Sequence, residues 1–162
     1  MFPANLRDSP FVFFNEYHHI QVFRVFVNSE EVRDSLEQEP NIKGCLELAK
    51  NADIILTSVG SIVYKSWKSY LSTRDLYNLE KKGAIGHIGG HFYDMEGNEV
   101  ITPFVNKMIG LGIEDIKNTE NVICVAGLEM KAEAILGAVR GGYINTLITD
   151  EEAAKAVLAL CE

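Results

Sequence analysis

Apolar side chains follow two different spacings along this chain, and these spacings predict which segments are strands and which are helices. Residues 11–14 and 20–27 are rich in aromatic and β-branched side chains, a composition that is typical of strands. Either Asn28 or Ser29 can cap a helix, and the two glutamates that follow suit the positive end of a helix dipole. The pattern therefore predicts a helix that begins after Asn28 or Ser29 and has Glu30 and Glu31 in its first turn.

The next segment predicts a helix with one apolar face. Pro40 either ends the preceding helix or begins this one, because proline lacks the amide hydrogen that a helix interior requires. Apolar residues then recur at the i, i+3, i+4, i+7 spacing of an amphipathic helix, at Ile42, Cys45, Leu46 and Ala49.

Residues 53–59 form a short and nearly continuous apolar run. A run of this kind suits a strand that is covered on both faces, as in a parallel sheet. Gly60 and Ser61 follow it directly and mark the end of the predicted strand.

A helix and a strand are predicted next. The capping pattern at residues 72–75 begins a helix, and Gly83 ends it. Residues 84–93 predict one strand that contains several glycines. A turn at residues 94–98 and extended structure at residues 99–102 complete this region.

The last third of the chain has the clearest alternation of strands and helices. The predicted elements are a strand at 121–126, a helix at 129–140, a strand at 144–148, and a helix that begins with the capping box at 149–152 and continues to Leu160. Strands that alternate with helices at this spacing indicate βαβ units. The predicted fold class is therefore α/β, with a parallel sheet flanked by helices.

Composition narrows the function classes. A chain of 162 residues with 47% hydrophobic and 23% charged residues is an ordinary globular domain. Its 15 basic and 23 acidic residues give a net charge of −8, which repels the phosphate backbone of nucleic acids. We therefore expect that this chain does not bind DNA by itself.

The cysteines and the apolar runs predict the compartment. The cysteines are odd in number and widely spaced, at Cys45, Cys124 and Cys161, so they suggest neither a disulfide framework nor a zinc site. No apolar run approaches the roughly 18 residues that span a bilayer, and the first residues lack a secretory pattern. These features favour a cytoplasmic protein.

Four segments in a fixed order resemble the sugar-binding effector domain of SorC-type (DeoR-related) bacterial transcriptional regulators. They are ADIILTSVGS (52–61), GAIGHIGGHFYDMEG (83–97), VAGLEMK (125–131) and RGGYINTLITDE (140–151). The resemblance runs from about Val27 to Leu160. It implies a fold similar to the sugar-phosphate isomerase and CoA-transferase group.

The resemblance also predicts the domain organisation. The chain reads as a single, partial effector domain over residues 1–162, with residues 1–28 as a poorly assigned N-terminal extension. The family places this domain after a helix-turn-helix DNA reader. From the resemblance we expect that this sequence has no counterpart of that reader or of the first half of the effector domain, with its Gly/Thr-rich phosphate loop.

Position 87 departs from the family pattern. The family usually has Gly-Asp-Ile where this chain has Gly86, His87 and Ile88. The resemblance implies that this position holds hydroxyl groups of the ligand. A histidine can also form hydrogen bonds to a hydroxyl, but it can become a cation, which leaves the identity of the ligand open.

Candidate ligand-binding residues follow predicted strands, where ligands gather in parallel α/β sheets. Gly60 allows close approach to the backbone and Ser61 adds a hydroxyl, so the pair suits a phosphate or sugar oxygen. A plain turn is the alternative. The other candidates are His87 and His91 of the 83–97 segment and Gly127, Glu129 and Lys131 of the 125–131 segment.

Lys131 is the most informative of these candidates. A cation in the first turn of a helix is mildly disfavoured by the helix dipole, and a bound anion reverses that sign. The alternative is an exposed lysine whose charge Glu129 offsets.

The histidines do not predict a metal site. On one regular strand His87 and His91 share a face but lie about 13 Å apart, too far for one ion. A buried, hydrogen-bonded histidine is the alternative for His87, and a solvent or interface residue for His91. His18 and His19 would point in opposite directions in a strand. We expect no metal and no cofactor.

Other polar and aromatic residues have mainly structural interpretations. Asp94 and Asp150 suit turn and capping positions. Tyr64, Trp67 and Tyr70 follow the Gly60–Ser61 pair and either stack on a sugar ring or pack the loop.

Three functions stay open at this point. The first is a sensing domain for a phosphorylated sugar in a transcriptional regulator, with a sugar phosphate as ligand and homo-oligomers as assembly. The second is a sugar-phosphate isomerase-like enzyme in which His87 or Lys131 transfers protons. The third is a truncated paralogue that acts by hetero-oligomerisation with longer relatives.

Overall fold

The computed structural model describes residues 25–62, 67 and 71–161. Within these residues the strands are β1 Val25–Phe26, β2 Ile54–Thr57, β3 Val59–Ser61, β4 Gly86–Ile88, β5 His91–Tyr93, β6 Met108–Ile109, β7 Asn121–Val125 and β8 Thr146–Ile148. The helices are α1 Glu30–Glu37, α2 Pro40–Lys50, α3 Thr73–Lys81, α4 Ile113–Asn118, α5 Ala132–Arg140 and α6 Glu151–Ala159. The strand predicted at residues 11–14 lies outside the described residues, as do Tyr64 and Tyr70.

A parallel sheet of three strands, in the order β2-β7-β8, confirms the predicted fold class. Leu56 lies opposite Ile123, and Ile123 lies opposite Thr146, so the strands share one register. On one face of this sheet, Val122 and Cys124 of β7 are fully buried in a core with residues of α5 and α6. The strand predicted at 121–126 is confirmed, and the one predicted at 144–148 is shortened to β8.

The predicted strand at residues 84–93 is wrong. The chain reverses at Gly89 and Gly90, whose φ angles are 58° and 83°, and forms an antiparallel hairpin of β4 and β5. Two consecutive glycines permit this tight turn because they adopt positive φ without steric cost. The hairpin joins β3 in a second sheet with the order β3-β4-β5, and β1 pairs with β6 in a third.

The apolar run at residues 53–59 serves two sheets instead of forming one strand. β2 ends at Thr57 and pairs with β7, whereas β3 begins at Val59 and pairs with β4. The expectation that the run is covered on both faces is also wrong for the described residues. Ile54 is 58% exposed and Leu56 is 72% exposed, because the described helices pack against the opposite face of the sheet.

Helix ends follow the predicted capping residues. The Val32 N–H donates to Ser29 Oγ at the start of α1 over 3.4 Å, and Pro40 is the first residue of α2. Ser72 and Asp75 exchange hydrogen bonds in a capping box at the start of α3. The helix predicted at 129–140 begins instead with a 3-10 turn at Glu129–Lys131 and continues as α5.

A second, smaller core lies between the antiparallel sheets and α3. Trp67, Leu79 and Phe92 are buried in it, and Phe26 and Phe104 pack against its edge. No helix within the described ranges is long and apolar enough to cross a membrane.

Candidate functional site

Gly60 lies directly beneath the imidazole of His87. The two residues are opposite each other in the β3–β4 pair. A β-carbon at Gly60 would overlap the His87 ring at Nε2 and Cε1. Glycine is therefore required at position 60, because the neighbouring strand places an imidazole where a side chain would be.

Aromatic rings surround His87 on the same side of the sheet. The Trp67 ring meets the imidazole edge-on, with centroids 4.9 Å apart and planes at 87°. Phe92, opposite His87 in the hairpin, lies 5.8 Å from it. His87 is therefore half-buried against an aromatic wall, and Trp67, only 6% exposed, packs in that wall.

Ser61 is 5% exposed and lies opposite Gly86. Position 86 also excludes a side chain, because a β-carbon there would meet both Ala134 of α5 and the Tyr93 ring. The end of β3 is therefore packed closely against β4 and α5.

The β7–α5 loop, residues 127–131, carries the other candidate residues. Its last three residues form the 3-10 turn, in which the Lys131 N–H donates to the Leu128 carbonyl over 2.9 Å. Lys131 occupies the N-cap position of α5, and no side chain caps this helix. The sequence expectation placed Lys131 in the first turn, as the third residue of a helix that begins at Glu129.

Lys131 is partly buried and lies near the end of β7. Burial raises the pKa of the Cys124 thiol in β7, and the positive charge of Lys131 acts in the opposite direction. β3 packs against the 3-10 turn. The fold thus brings Gly60, Ser61 and the β7–α5 loop to one end of the molecule, with His87 on the adjoining strand.

His91 lies on the other face of the hairpin from His87. It is opposite Ile88, whereas His87 is opposite Phe92, so the expected shared face of the two histidines is wrong. His91 is 3% exposed; its Nδ1 is 2.9 Å from Glu99 Oε1 and its Nε2 is 2.9 Å from the Leu111 carbonyl. We interpret His91 as a residue that joins the hairpin to the 110–112 segment.

Asp150 has a contact that its sequence position does not indicate. It caps α6, since the Ala153 N–H donates to Oδ1 over 2.8 Å, so the N-cap is Asp150 and not Thr149, the first residue of the capping box predicted at 149–152. Its Oδ2 also accepts from the Leu128 N–H in the β7–α5 loop, over 2.7 Å. Both hydrogen bonds lower the pKa of Asp150, and the one from Ala153 has the larger effect.

Metal and thiol chemistry find little support in the described part of the chain. It holds no group of three or more His, Cys, Asp or Glu side chains that could bind a metal ion. The three cysteines are free thiols, and Cys124 is buried.

Comparisons with known proteins agree on one family. The family model described as "Putative sugar-binding domain" matches residues 14–159. The transcriptional regulator LsrR of Escherichia coli is 34% identical over 137 residues, which are 81% of this chain and 43% of that protein. The chain therefore spans less than half of the length of this relative.

Solved structures support the same assignment. The full-length sorbitol operon regulator SorC from Klebsiella pneumoniae matches with a TM-score of 0.80 and 26% identity, over 86% of this chain and 46% of that chain. The probable sor operon regulator from Shigella flexneri matches with a TM-score of 0.78 and 27% identity, over 86% of this chain and 55% of that chain.

Proposed function

We propose that this chain, which belongs to the sugar-binding domain family of SorC-type transcriptional regulators, binds a phosphorylated sugar where β3 meets the β7–α5 loop. The relatives that match are transcriptional regulators, so the isomerase-like alternative is not favoured. Family membership supports a sugar as the ligand. The phosphate and the position of the site are our proposal.

The observation that carries the proposal is the position of Lys131 at the uncapped start of α5. The first amide groups of a helix lack partners within the helix, and the helix dipole is positive at that end. The Lys131 and Ala132 N–H groups already donate to the Leu128 and Glu129 carbonyls, so an anion would be held here by the ammonium and by the positive end of the dipole. Gly127, just before this point, is closed on one side, because a β-carbon there would overlap Asp150 Oδ2.

His87 and Ser61 are proposed to contact the sugar hydroxyls. The imidazole lies at the edge of the aromatic wall, on the strand next to β3. Trp67 and Phe92 are buried, so the aromatic wall would hold the imidazole in place, and the sugar would contact His87 and not the rings. Glu129, in the same 3-10 turn as Lys131, is placed to accept a hydrogen bond from a hydroxyl. His91 is the weakest of the predicted ligand residues, because both of its nitrogens have partners within the chain.

Calorimetric titration with phosphorylated and unphosphorylated sugars tests the proposal. We expect Lys131→Ala to weaken binding of a sugar phosphate by about 1.5–3 kcal/mol, the usual contribution of a charge-assisted hydrogen bond. Lys155→Ala is the matched control, since Lys155 is exposed in α6 and pairs with Glu151. Equal affinity of the wild type and Lys131→Ala would place the anion elsewhere.

In this proposal, DNA is bound by a longer regulator chain and not by the residues of this chain. This chain would sense the sugar in the cytoplasm, associate with copies of itself, and leave DNA unbound because of its net charge of −8. Association with longer relatives is the second candidate function. The exposed apolar residues Ile54 and Leu56 of the parallel sheet favour it.

A further inference from the structure

Leu128 has an unusual backbone conformation for a residue with a side chain. Its φ is 77° and its ψ is 132°, and it is the one non-glycine residue with positive φ in the described part of the chain. Such a conformation is strained for leucine, because its β-carbon clashes with the backbone. The Leu128 side chain is 50% exposed, so packing does not hold the residue in this state.

The carboxylate of Asp150 supplies an interaction that can hold Leu128 in this conformation. The Leu128 N–H donates to Asp150 Oδ2 over 2.7 Å, although 22 residues separate the two in sequence. Gly127 lies against the same oxygen, since a β-carbon at position 127 would overlap Asp150 Oδ2. The carboxylate therefore fills the space beside the first two residues of the β7–α5 loop.

Helix capping explains only one of the two Asp150 oxygens. The serines that cap α1 and α3 each use a single hydroxyl oxygen. Asp150 needs only Oδ1 for the same task, because that oxygen accepts from Ala153. The Leu128 carbonyl in turn accepts from the Lys131 N–H, so the residue held by Oδ2 is bonded directly to the start of α5.

We propose that Asp150 is a positioning residue for the ligand site: it holds Leu128 at positive φ and thereby fixes the 3-10 turn that carries Glu129 and Lys131. The role of Asp150 in ligand binding rests on the proposed function. Its role in fixing the 3-10 turn rests on the hydrogen bonds alone. Strain of this kind occurs at binding sites when surrounding contacts over-determine the backbone.

Asp150→Asn separates the two tasks of the carboxylate. Asparagine is as good an N-cap as aspartate, so its single oxygen can keep the bond to Ala153. Its amide group then faces the Leu128 N–H, which places two donors against each other. We expect helix content by circular dichroism to be retained. The affinity for glucose 6-phosphate and inorganic phosphate should fall by on the order of tenfold, as for the loss of one hydrogen bond to a charged group.

A double-mutant cycle with Leu128→Gly gives a reading that does not depend on any ligand. Glycine adopts positive φ without strain, so the turn needs the Asp150 bond less when residue 128 is glycine. Asp150→Asn should therefore lower the melting temperature clearly in the Leu128 protein and much less in the Leu128→Gly protein. Ser72→Ala is the control, because it removes the cap of α3 and should lower stability equally in both backgrounds.

The outcomes separate this inference from the proposed function. If Asp150→Asn lowers the melting temperature by the same amount in both backgrounds, the two substitutions are additive and the inference is overturned. Unchanged affinity of Asp150→Asn, with weaker binding by Lys131→Ala, overturns it too. If the wild type binds neither probe, the proposed ligand class fails, and the cycle alone decides whether Asp150 holds the turn.

Discussion

Single residues in this protein are often fixed by what the opposite strand places beside them. Gly60 has room for no side chain because the His87 imidazole occupies the space above its α-carbon. The same kind of approach occurs at Gly127, where the Asp150 carboxylate takes the place of a side chain. Both glycines lie at the candidate site, so its shape depends on two polar side chains packed against bare backbone.

Gly60→Ala should destabilise the fold by about 1–3 kcal/mol, because an added methyl group forces the imidazole and its aromatic neighbours to move. His87→Ala in the same protein should recover part of this loss, since it removes the ring that the methyl group meets. Urea denaturation of the single and double variants measures both effects.

Gly44→Ala is the control for this pair. Position 44 lies in α2 with nothing within 4 Å of an added β-carbon. Alanine there should be neutral or stabilising by up to about 1 kcal/mol, as expected for glycine replacement within a helix. A Gly60→Ala protein as stable as the wild type would mean that His87 does not lie against Gly60.

At the scale of secondary-structure elements, two buried tyrosines connect the hairpin region to α5 and to the segment that follows it. The Tyr93 hydroxyl of β5 donates to the Ala134 carbonyl of α5 over 2.8 Å. The Tyr143 hydroxyl, between α5 and β8, donates to the Gly97 carbonyl after the hairpin over 2.7 Å. The antiparallel hairpin is thereby attached to the helix that begins at the candidate site.

The stability of this attachment should depend on alkaline pH. Burial raises the pKa of Tyr143 from 10.0 to about 12. The folded protein therefore retains the proton more tightly than the unfolded chain, and the stability from this group is complete below pH 10 and lost as pH rises toward 12.

Tyr143→Phe should cost about 1–3 kcal/mol at neutral pH, since it leaves the Gly97 carbonyl without this donor. The difference in unfolding free energy between wild type and variant should then shrink between pH 10 and 12. Urea denaturation across this range measures it, and the effects of groups that do not interact with Tyr143 cancel in the difference. A difference that stays constant with pH would contradict the raised pKa.

The whole molecule has an uncovered apolar sheet face among its described residues. We define this face by its most exposed apolar side chains, Ile54, Leu56, Val125 and Ile148. They lie on adjacent strands of the parallel sheet, on the side opposite the buried Val122 and Cys124. Water contact with such a face is unfavourable, and proteins usually relieve it by association.

We expect the chain to associate through the apolar sheet face at micromolar concentrations. Leu56→Gln together with Ile148→Gln should shift sedimentation toward the monomer, because it lowers the apolar area that association buries. Ile101→Gln is the control, since Ile101 is 69% exposed and lies outside this sheet. A wild type that sediments as a strict monomer at high micromolar concentration would contradict this expectation.

Net charge is the second property of the whole molecule with a testable consequence. With 23 acidic and 15 basic residues, the chain should repel a DNA duplex. In fluorescence anisotropy at about 0.15 M salt, where exposed charges are already strongly screened, we expect no specific complex. Nanomolar binding to any duplex would show that a local arrangement of charge outweighs the net charge.

The sequence by itself determined the features that depend on neighbours within a few residues. The caps at Ser29, Ser72 and Asp150 and the end of α5 at Gly141 agree with the local pattern, because a cap contacts amide groups only two or three residues away. The alternation of apolar strands and amphipathic helices in the last third likewise predicted the parallel sheet.

Only the tertiary structure decided which strand pairs with which and what each face meets. The run at 53–59 was interpreted as one strand, yet β2 and β3 join different sheets because their partners come from β7 and β4, and the polar Thr57 and Ser58 stand at the break. The opposite faces of His87 and His91 follow from the turn at Gly89 and Gly90, which a strand pattern conceals.

The candidate site shows the same division. Its residues were predicted from local sequence and from the family resemblance, because glycines and a lysine at the start of a helix are local signals. The hydrogen bond from Leu128 to Asp150 joins residues 22 positions apart. Such a contact forms only because parallel strands bring their carboxyl ends together. The sequence pattern of either segment alone does not predict that it contacts the other.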